Sequence, residues 1–218
     1  MKISERLRTI ANFVQEGSFV LDVGCDHAYL GIYLTKYKKA RVIASDINPL
    51  PLKIAQANIL KYQAKNITLK MQDGISEVPK EVDTIVISGM GSKTIIDILT
   101  KDKKNLEFVK TLILASNNDY AYLRKQVNKL GFKIKNEVVV EEDSKFYEII
   151  VYQKGQEKLN AQEIKYGPCL MQEKSAAFLK YQKEAIAKLL TILEGLPKTN
   201  KKRCQEIEQE LCERQKLL

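Results

Sequence analysis

The segment Phe19–Gly31 constrains the fold of this chain more than any other stretch. It begins with the apolar run Phe19–Val23, which is typical of a strand buried in a parallel sheet. The run is interrupted at Gly24, and a sequence compatible with a helix follows from Ala28. A strand, a glycine turn and a helix N-terminus together form the ligand-binding corner of a doubly wound α/β sheet.

The turn itself differs from the Gly-x-Gly loop that binds dinucleotides. Asp26 stands where a second glycine would let the backbone approach a pyrophosphate. A carboxylate at that distance repels a diphosphate. The turn therefore suits a ligand that carries positive charge and no phosphate, such as S-adenosylmethionine (SAM), and it excludes a nicotinamide dehydrogenase.

Further strand and helix signals alternate along the chain and predict a mostly parallel sheet. Strands are predicted at 19–23, 40–46, 67–71, 83–88 and 112–115, and helices at 2–14, 28–38, 48–62 and 119–130. Residues 132–141 and 146–152 are predicted to pair as an antiparallel hairpin at one edge of the sheet. Asn48 and Ser92 are expected to cap helices, and Gly131 to end one.

The composition changes after Lys154, where β-branched clusters give way to long Gln/Glu/Lys/Leu stretches. Two runs with helical spacing follow, separated by Gly195-Leu-Pro197: Phe178, Gln182, Ala185, Leu189, Ile192 and Leu196, then Cys204, Ile207, Leu211, Arg214 and Leu218. This pattern predicts an antiparallel, coiled-coil-like helical hairpin with two imperfect seam positions, or alternatively a dimer seam. We expect a domain at 1–154 and a helical domain at 155–218.

Length and charge restrict the class of protein. The 218 residues accommodate one α/β domain of about 150 residues with an appendage. The net charge of +9, shared by both predicted domains, favours a polyanionic partner such as nucleic acid, although a Lys-rich proteome would give the same balance.

Apolar runs and cysteines restrict the location. No run of about 18 apolar residues occurs, and the N-terminus lacks the apolar core of a signal peptide, so we expect no membrane span. The four cysteines show no C-x-x-C spacing, which favours reduced thiols in the cytoplasm and no metal site.

Acidic residues follow the predicted strands where a nucleoside would bind. Asp46 ends the second strand, at the place where α/β nucleoside sites set a carboxylate against ribose hydroxyls. Asp73 follows the third strand and is expected to accept a hydrogen bond from the adenine amino group of SAM. We assign cofactor binding to residues near the ends of four strands, namely Asp22, Gly24, Cys25, Asp46, Ile47, Asp73, Gly74, Gly89 and Met90.

Four motifs occur in one order: Asp22-Val-Gly-Cys-Asp-His-Ala-Tyr-Leu30, Ile87-Ser-Gly-Met-Gly91, Leu114-Ala-Ser-Asn117 and Glu141-Glu-Asp-Ser-Lys-Phe-Tyr-Glu148. With these four motifs in this order, the chain resembles the bacterial tRNA (adenine-22-N1)-methyltransferase family over its whole length. That family usually has Leu-Gln-Pro-Asn where this chain has Leu-Ala-Ser-Asn, so only Asn117 carries over. The resemblance implies a class I SAM-dependent methyltransferase fold acting on N1 of adenine 22 in the D-arm of tRNA.

Methyl transfer to N1 of adenine needs orientation and tolerance of a cationic product more than a strong base. Asp26 is the candidate catalytic residue, because its carboxylate could accept from the N6 amino group. Its alternative role is to cap the helix that begins near Ala28. An Asn/Asp-Pro-Pro-aromatic motif, frequent in enzymes that methylate exocyclic amino groups, is absent, which argues against an N6 product.

The base must leave its stack before N1 can react, so substrate residues are expected beside the cofactor. Candidate substrate-binding residues are Arg6, His27, Tyr29, Gly91 and Asn117. Tyr147 is a second possible platform, but a core position is favoured for it. Lys201, Lys202 and Arg203 could hold tRNA, or form a solvated turn.

Two other functions stay open at this stage. One is a SAM-dependent methyltransferase for another RNA or a small molecule, and the other is a SAM-binding RNA adaptor without turnover. We expect the chain to work as a monomer with tRNA as partner.

Overall fold

The computed structural model describes residues 1–197 and 199–218. Seven strands form a single sheet in the order β3-β2-β1-β4-β5-β7-β6. The strands are β1 (Phe19–Val23), β2 (Arg41–Asp46), β3 (Ile67–Met71), β4 (Thr84–Met90), β5 (Thr111–Ser116), β6 (Phe132–Glu142) and β7 (Lys145–Lys154). The first five strands are parallel, and β7 and β6 add an antiparallel pair at the edge, as the sequence predicted.

Helices cover both faces of this sheet, and further helices follow its last strand at the C-terminus. They are α1 (Glu5–Phe13), α2 (Tyr29–Tyr37), α3 (Pro49–Lys61), α4 (Ser92–Lys101), α5 (Tyr120–Lys129), α6 (Ala161–Tyr166), α7 (Pro168–Glu173), α8 (Ala176–Gly195) and α9 (Lys201–Gln215). The short helices α6 and α7 were not predicted individually, since six residues are too few for a periodic signal.

The central position of β1 explains why its sequence is almost wholly apolar. It pairs with β2 on one side and β4 on the other, and helices cover both faces. Residues Val20 and Leu21 are completely buried, in the two core clusters on opposite faces of the sheet. The strand order reverses between β1 and β4, which is where open α/β sheets bind ligands.

Two predicted helix caps differ from the structure. Asn48 occupies the N-cap of α3 but its side chain makes no capping bond, and the third helical residue, Pro51, has no N–H to donate to it. Ser92 is the first residue of α4 rather than its cap. The amide oxygen of Asn118 accepts from the Ser92 N–H at 3.0 Å and so closes this helix end. The prediction for Gly131 is confirmed, since it follows the C-cap Leu130 with φ +84°.

The C-terminal hairpin forms within one chain, with the two runs packed against each other. Its apolar seam is made of Ile186, Leu189, Leu193 and Leu196 from α8, and of Ile207 and Leu211 from α9. The predicted seam positions Ile192 and Leu218 are wrong, because each is about half exposed.

The two imperfect seam positions bond to each other. The Arg214 Nη1 donates to the buried Gln182 Oε1 at 2.7 Å, so neither polar side chain disrupts the packing. The division into residues 1–154 and 155–218 stays a prediction.

Candidate active site

A cleft of about 660 Å³ lies at the carboxyl ends of the parallel strands. The loops after β1, β2, β3 and β4 converge there because parallel strands end at the same edge of a sheet. Most predicted site residues line it: Arg6, Asp22, Gly24, Cys25, Asp26, His27, Tyr29, Asp46, Ile47, Asp73, Gly74, Gly89 and Met90. The structure therefore brings together the ends of four strands that lie far apart in sequence.

The floor of the cleft is the side chain of Asp22, which is only 4 % exposed. Removal of the carboxylate from water raises the pKa of Asp22 from 3.8 to about 7. A buried acid whose charged form lacks a compensating partner favours a cationic ligand.

Beside it, the turn after β1 is held to the neighbouring strand. The backbone N–H groups of Gly24 and Cys25 donate to the Ser45 carbonyl at 2.8 and 2.9 Å. Burial and the nearby carboxylates of Asp22 and Asp46 raise the pKa of the Cys25 thiol far above its usual range. Because only a thiolate is an effective nucleophile, Cys25 is a wall of the cleft and not a reactive group.

Gly24 is the position in this turn that most requires glycine. Its φ is +71°, and an added Cβ would lie 2.3 Å from Met90 Cε. The missing side chain lets Met90 of β4 cross the turn and enter the cleft.

Asp46 and Ile47 form the side of the cleft at the end of β2. The bond from the Asn48 N–H to Oδ1 fixes the Asp46 carboxylate in position. Ile47 is 59 % exposed at this edge, which is unusual for so apolar a side chain and suits contact with the flat face of a base.

The loop after β3 contributes Gln72, Asp73 and Gly74. Lys101 of α4 forms an ion pair with Asp73, and Gly74 has φ +57° with Ile98 Cγ2 only 2.8 Å from where a Cβ would stand. Gln72 Nε2 donates to the Gly74 carbonyl at 2.8 Å, but its Oε1 is buried without a hydrogen-bond partner. Gln72 lines the cleft, and this oxygen is a hydrogen-bond acceptor that the described residues leave unused.

Asp26, His27 and Tyr29 form the mouth of the cleft between β1 and α2. The Asp26 side chain is 72 % exposed, and its Oδ1 lies 3.3 Å from His27 Nε2. The His27 and Tyr29 rings stack with centroids 5.7 Å apart. The alternative role of Asp26 as a helix cap is wrong: the N-cap of α2 is Ala28, in a left-handed conformation, without any side-chain bond.

Arg6 of α1 closes the opposite side. Its backbone N–H donates to Glu142 Oε1 at 3.0 Å, and its guanidinium lies over the Tyr147 ring, 4.5 Å from the centroid. The buried Nε of Arg6 has no hydrogen-bond partner, but it forms an ion pair with Glu142, with Nε to Oε2 at 3.8 Å. Tyr147 is not the core residue that the sequence favoured, because it is half-buried and lines a second pocket.

Gly91 and Asn117 do not line the cleft. Gly91 is the N-cap of α4, and Asn117 borders the second pocket. Asn117 Nδ2 nevertheless donates to the Gly89 carbonyl at 2.7 Å, so it supports a residue that does line the cleft. This hydrogen bond holds the end of β4.

Several cleft residues were missed by sequence reasoning: Leu7, Val23, Leu30, Asn48, Gln72, Ser88, Thr94 and Ile98. Thr94 and Ile98 lie four residues apart on α4, a spacing that could have placed both on one helix face. Gln72 directly precedes the predicted Asp73-Gly74 turn. The orphaned oxygen that makes Gln72 notable depends on tertiary packing and has no sequence signal.

Within residues 1–197 and 199–218, no group of three His, Cys, Asp or Glu side chains is arranged to hold a metal ion. No helix in the described part of the chain is long and apolar enough to cross a membrane.

Comparison with known proteins gives the family. A sequence profile described as tRNA (adenine(22)-N(1))-methyltransferase matches residues 20–216. The Bacillus subtilis tRNA (adenine(22)-N(1))-methyltransferase is 31 % identical over 221 residues, covering 95 % of this chain and 93 % of that protein.

Solved structures agree over the whole chain. Streptococcus pneumoniae Sp1610 in complex with S-adenosyl-L-methionine has a TM-score of 0.89 at 33 % identity, with 100 % of each chain covered. M. capricolum TrmK in complex with the cofactor product S-adenosyl-homocysteine has a TM-score of 0.85 at 30 % identity, covering 99 % of this chain and 97 % of that one. The profile match and the similarity to a relative over nearly its whole length show that the chain belongs to the tRNA (adenine(22)-N(1))-methyltransferase family.

Proposed function

We propose that this protein transfers a methyl group from SAM to N1 of adenine 22 in the D-arm of tRNA. The observation that carries the proposal is the acidic cleft lined by Asp22, Asp46 and Asp73 in a member of this family. Three carboxylates around one cavity disfavour a cofactor with phosphates and favour a cationic one.

The residues present fit SAM. The desolvated Asp22 gains from a nearby positive charge, and the orphaned Gln72 Oε1 can accept from an amino group. We assign Asp46 to the ribose hydroxyls and Asp73 to the adenine amino group, with Ile47 against the base. Gly24, Cys25, Gly74, Gly89 and Met90 shape the walls. Relatives of the same family have been solved with SAM and with its product, which supports the assignment.

When bound, SAM supplies an electrophilic methyl group on a sulfonium. Adenine N1 already carries a lone pair, so the protein has no proton to remove before the displacement. What the chain must do is hold the base in line and stabilise the positive charge that develops on it. We assign to Asp26, exposed at the mouth of the cleft, the role of accepting a hydrogen bond from the N6 amino group and balancing that charge.

N1 lies on the Watson–Crick edge, so the target base must be displaced from its stack. The stacked rings of His27 and Tyr29 offer a platform for it at the mouth of the cleft, and Tyr29 is 36 % exposed. Arg6, whose Nε lies 3.8 Å from Glu142 Oε2, is assigned to a phosphate on the other side through the rest of its guanidinium. Gly91 and Asn117 support this site from behind rather than touching the base.

The C-terminal hairpin is assigned to tRNA shape. Lys201 and Lys202 are exposed at the N-terminus of α9, and Arg203 beside them pairs with Glu206. The positive end of the helix dipole adds to these charges, which favours a phosphate there.

We also propose that the chain works as a monomer, because the α8–α9 seam is filled within one chain. Because the proposed substrate is tRNA, we propose that the protein acts in the cytoplasm.

The test is methyl incorporation from labelled SAM into a tRNA transcript with adenine at position 22. The control is the same transcript with guanine at that position. Labelling that is lost in the control, with 1-methyladenine found in nucleoside digests, supports the proposal. Equal labelling of both transcripts indicates another target, and SAM binding without labelling indicates an adaptor.

A further inference from the structure

A second pocket of about 530 Å³ lies next to the methyl-transfer cleft. It is bordered by the loop after β5, the turn between β6 and β7, and one face of α8. Its volume is in the range of small-ligand sites. The methyl-transfer chemistry proposed above makes no use of it.

Two contacts join this pocket to the cleft. Tyr147 lines the pocket, and the guanidinium of Arg6, a cleft residue, lies 4.5 Å from the centroid of its ring. Asn117 also lines the pocket, and its amide donates to the carbonyl of the cleft residue Gly89 at 2.7 Å. At these two points the wall between the cavities consists of one pair of contacting residues, so neighbouring units of one polymer can occupy both cavities.

The interior of the pocket is aromatic. Phe146 and Tyr181 have ring centroids 5.2 Å apart with planes inclined by 31°, and Tyr147 adds a third ring. All three side chains are only half-buried, so part of each ring faces solvent. Aromatic rings open to solvent beside an RNA-modifying cleft are typical of platforms on which unpaired bases stack.

The rim of the pocket is charged. Lys145 and Lys188 are exposed there, and Glu184 lines the pocket one helical turn before Lys188 on α8. The neighbouring Lys180 is neutralised by Glu141, with Nζ to Oε1 at 2.6 Å. Two lysine ammonium groups suit a phosphate, while the Glu184 carboxylate suits the exocyclic amino group of a base.

We propose that this pocket binds a nucleotide adjacent to the target adenine in the same RNA strand. The base stacks on Tyr181 and Phe146, and Lys145 and Lys188 contact the flanking phosphates. The inference rests on the proposed function, since the pocket gains its meaning from the strand that enters the cleft. Its consequence is that the enzyme unstacks two residues of the arm rather than one.

The first test compares two variants, Lys188→Gln and Tyr181→Leu, with the wild-type enzyme. We expect each to raise the KM for tRNA, by roughly tenfold for Tyr181→Leu, with the Kd for SAM unchanged. Lys188→Gln is also expected to lower the salt dependence of tRNA binding by about one phosphate contact. The matched control is Lys183→Gln, an exposed lysine of the same helix that does not line the pocket.

The second test is direct. A transcript carrying 4-thiouridine on either side of adenine 22 is irradiated with the wild-type enzyme, and the cross-linked peptide is mapped by mass spectrometry. Cross-links to the peptides with Phe146, Tyr147 or Tyr181 support the inference. Cross-links only elsewhere, or Lys188→Gln and Lys183→Gln with the same KM and salt dependence as wild type, overturn it and leave the pocket to a protein partner. If wild type binds SAM but does not methylate adenine 22, the proposed function fails, whereas the cross-link still reports on the pocket.

Discussion

The environment of Asp22 indicates the charge of the ligand more clearly than that of any other cleft residue. A carboxylate that is 4 % exposed, with a pKa raised to about 7 by loss of solvent, is half-protonated near neutral pH in the free protein. Binding of a cation to the charged form pulls the pKa down again and releases a proton. Ligand affinity and proton release are therefore linked at this position.

The first prediction follows from that linkage. Raising the pH from 6 to 8 should strengthen SAM binding, by up to about tenfold per pH unit below 7, because only ionised Asp22 faces the cation productively. Isothermal titration calorimetry in two buffers measures both the Kd and the proton released. Asp22→Asn should bind weakly at every pH, and a pH dependence that survives this substitution would assign the titration to another group.

The contribution of Asp22 to folding stability falls as the pH rises, whereas its contribution to SAM binding grows. A folded-state pKa of about 7 against 3.8 means that the protonated Asp22 stabilises the free protein most below pH 4. This contribution is lost as the pH rises through 7. The rise in Tm on adding SAM should accordingly grow with pH over the same interval.

Gly24 gives the second prediction. Gly24→Ala forces a side chain onto φ +71° and toward Met90 Cε at 2.3 Å, so it should lower stability by about 1–2 kcal/mol and weaken SAM binding. Gly17→Ala is the matched control, because its φ of +78° imposes the same strain with nothing within 4 Å of the new Cβ and no part in the cleft. Both variants should lose Tm, but only Gly24→Ala should lose affinity for SAM. Equal SAM affinity in Gly24→Ala and Gly17→Ala would show that the contact with Met90 does not affect the cofactor site.

The third prediction concerns Asp26. Because its side chain is 72 % exposed and caps no helix, Asp26→Asn should fold normally and bind SAM as wild type does. Loss of a charged acceptor for the N6 amino group should lower kcat by on the order of 10- to 100-fold. Single-turnover methylation with saturating SAM separates this effect from binding. Full turnover in Asp26→Ala would show that the carboxylate has no catalytic part.

At the scale of elements, the edge of the sheet is joined to the C-terminal segment by a buried ion network. Arg124 of α5 is completely buried and pairs with Glu137 of β6 and Glu148 of β7. Glu137 Oε2 also accepts from the Cys169 N–H of α7 at 3.0 Å, and Arg124 Nη1 donates to the Ile164 carbonyl of α6. This network thus joins five elements, namely α5, β6, β7, α6 and α7, which fixes the position of the two short helices.

The fourth prediction is that this network is costly to break. Arg124→Met leaves two buried carboxylates without a counter-charge and should destabilise the fold by about 3–5 kcal/mol in urea denaturation. Adding Glu137→Gln and Glu148→Gln to it should recover part of that loss, because neutral amides need no cation. If the triple variant is no more stable than Arg124→Met, packing rather than charge explains the effect.

The elements also show how far sequence reasoning reaches. The apolar run of β1 and the glycine turn were predicted because periodicity and turn chemistry are local properties of the chain. The burial of Arg124 and the orphaned oxygen of Gln72 were missed because they arise from residues brought together by the sheet. In α8 the predicted seam, with residues three and four apart, included Ile192. The structure has Leu193 in the seam instead, because the helical repeat does not match this spacing exactly.

At the scale of the whole molecule, the helical hairpin carries two exposed lysines, Lys201 and Lys202, at the N-terminus of α9. α8 packs beside the end of β6 at Lys180 and Tyr181 and then passes the turn of the β6–β7 hairpin. Its second half, with α9, therefore projects beyond the cleft edge of the sheet. A tRNA whose D-arm enters the cleft would meet the N-terminus of α9 with another part of its backbone.

The last prediction tests that bridge. The double variant Lys201→Glu and Lys202→Glu should raise the KM for tRNA and lower the salt slope of binding by about two, because two phosphate contacts are lost. The Kd for SAM and the kcat at saturating tRNA should not change, since the cleft is untouched. The double variant Lys125→Glu and Lys129→Glu is the control for charge alone: it changes the net charge by the same amount, at two exposed lysines of α5 that line neither cavity. Filter binding between low and physiological salt measures the slope, and an equal fall in this control would mean that tRNA responds to net charge rather than to the hairpin.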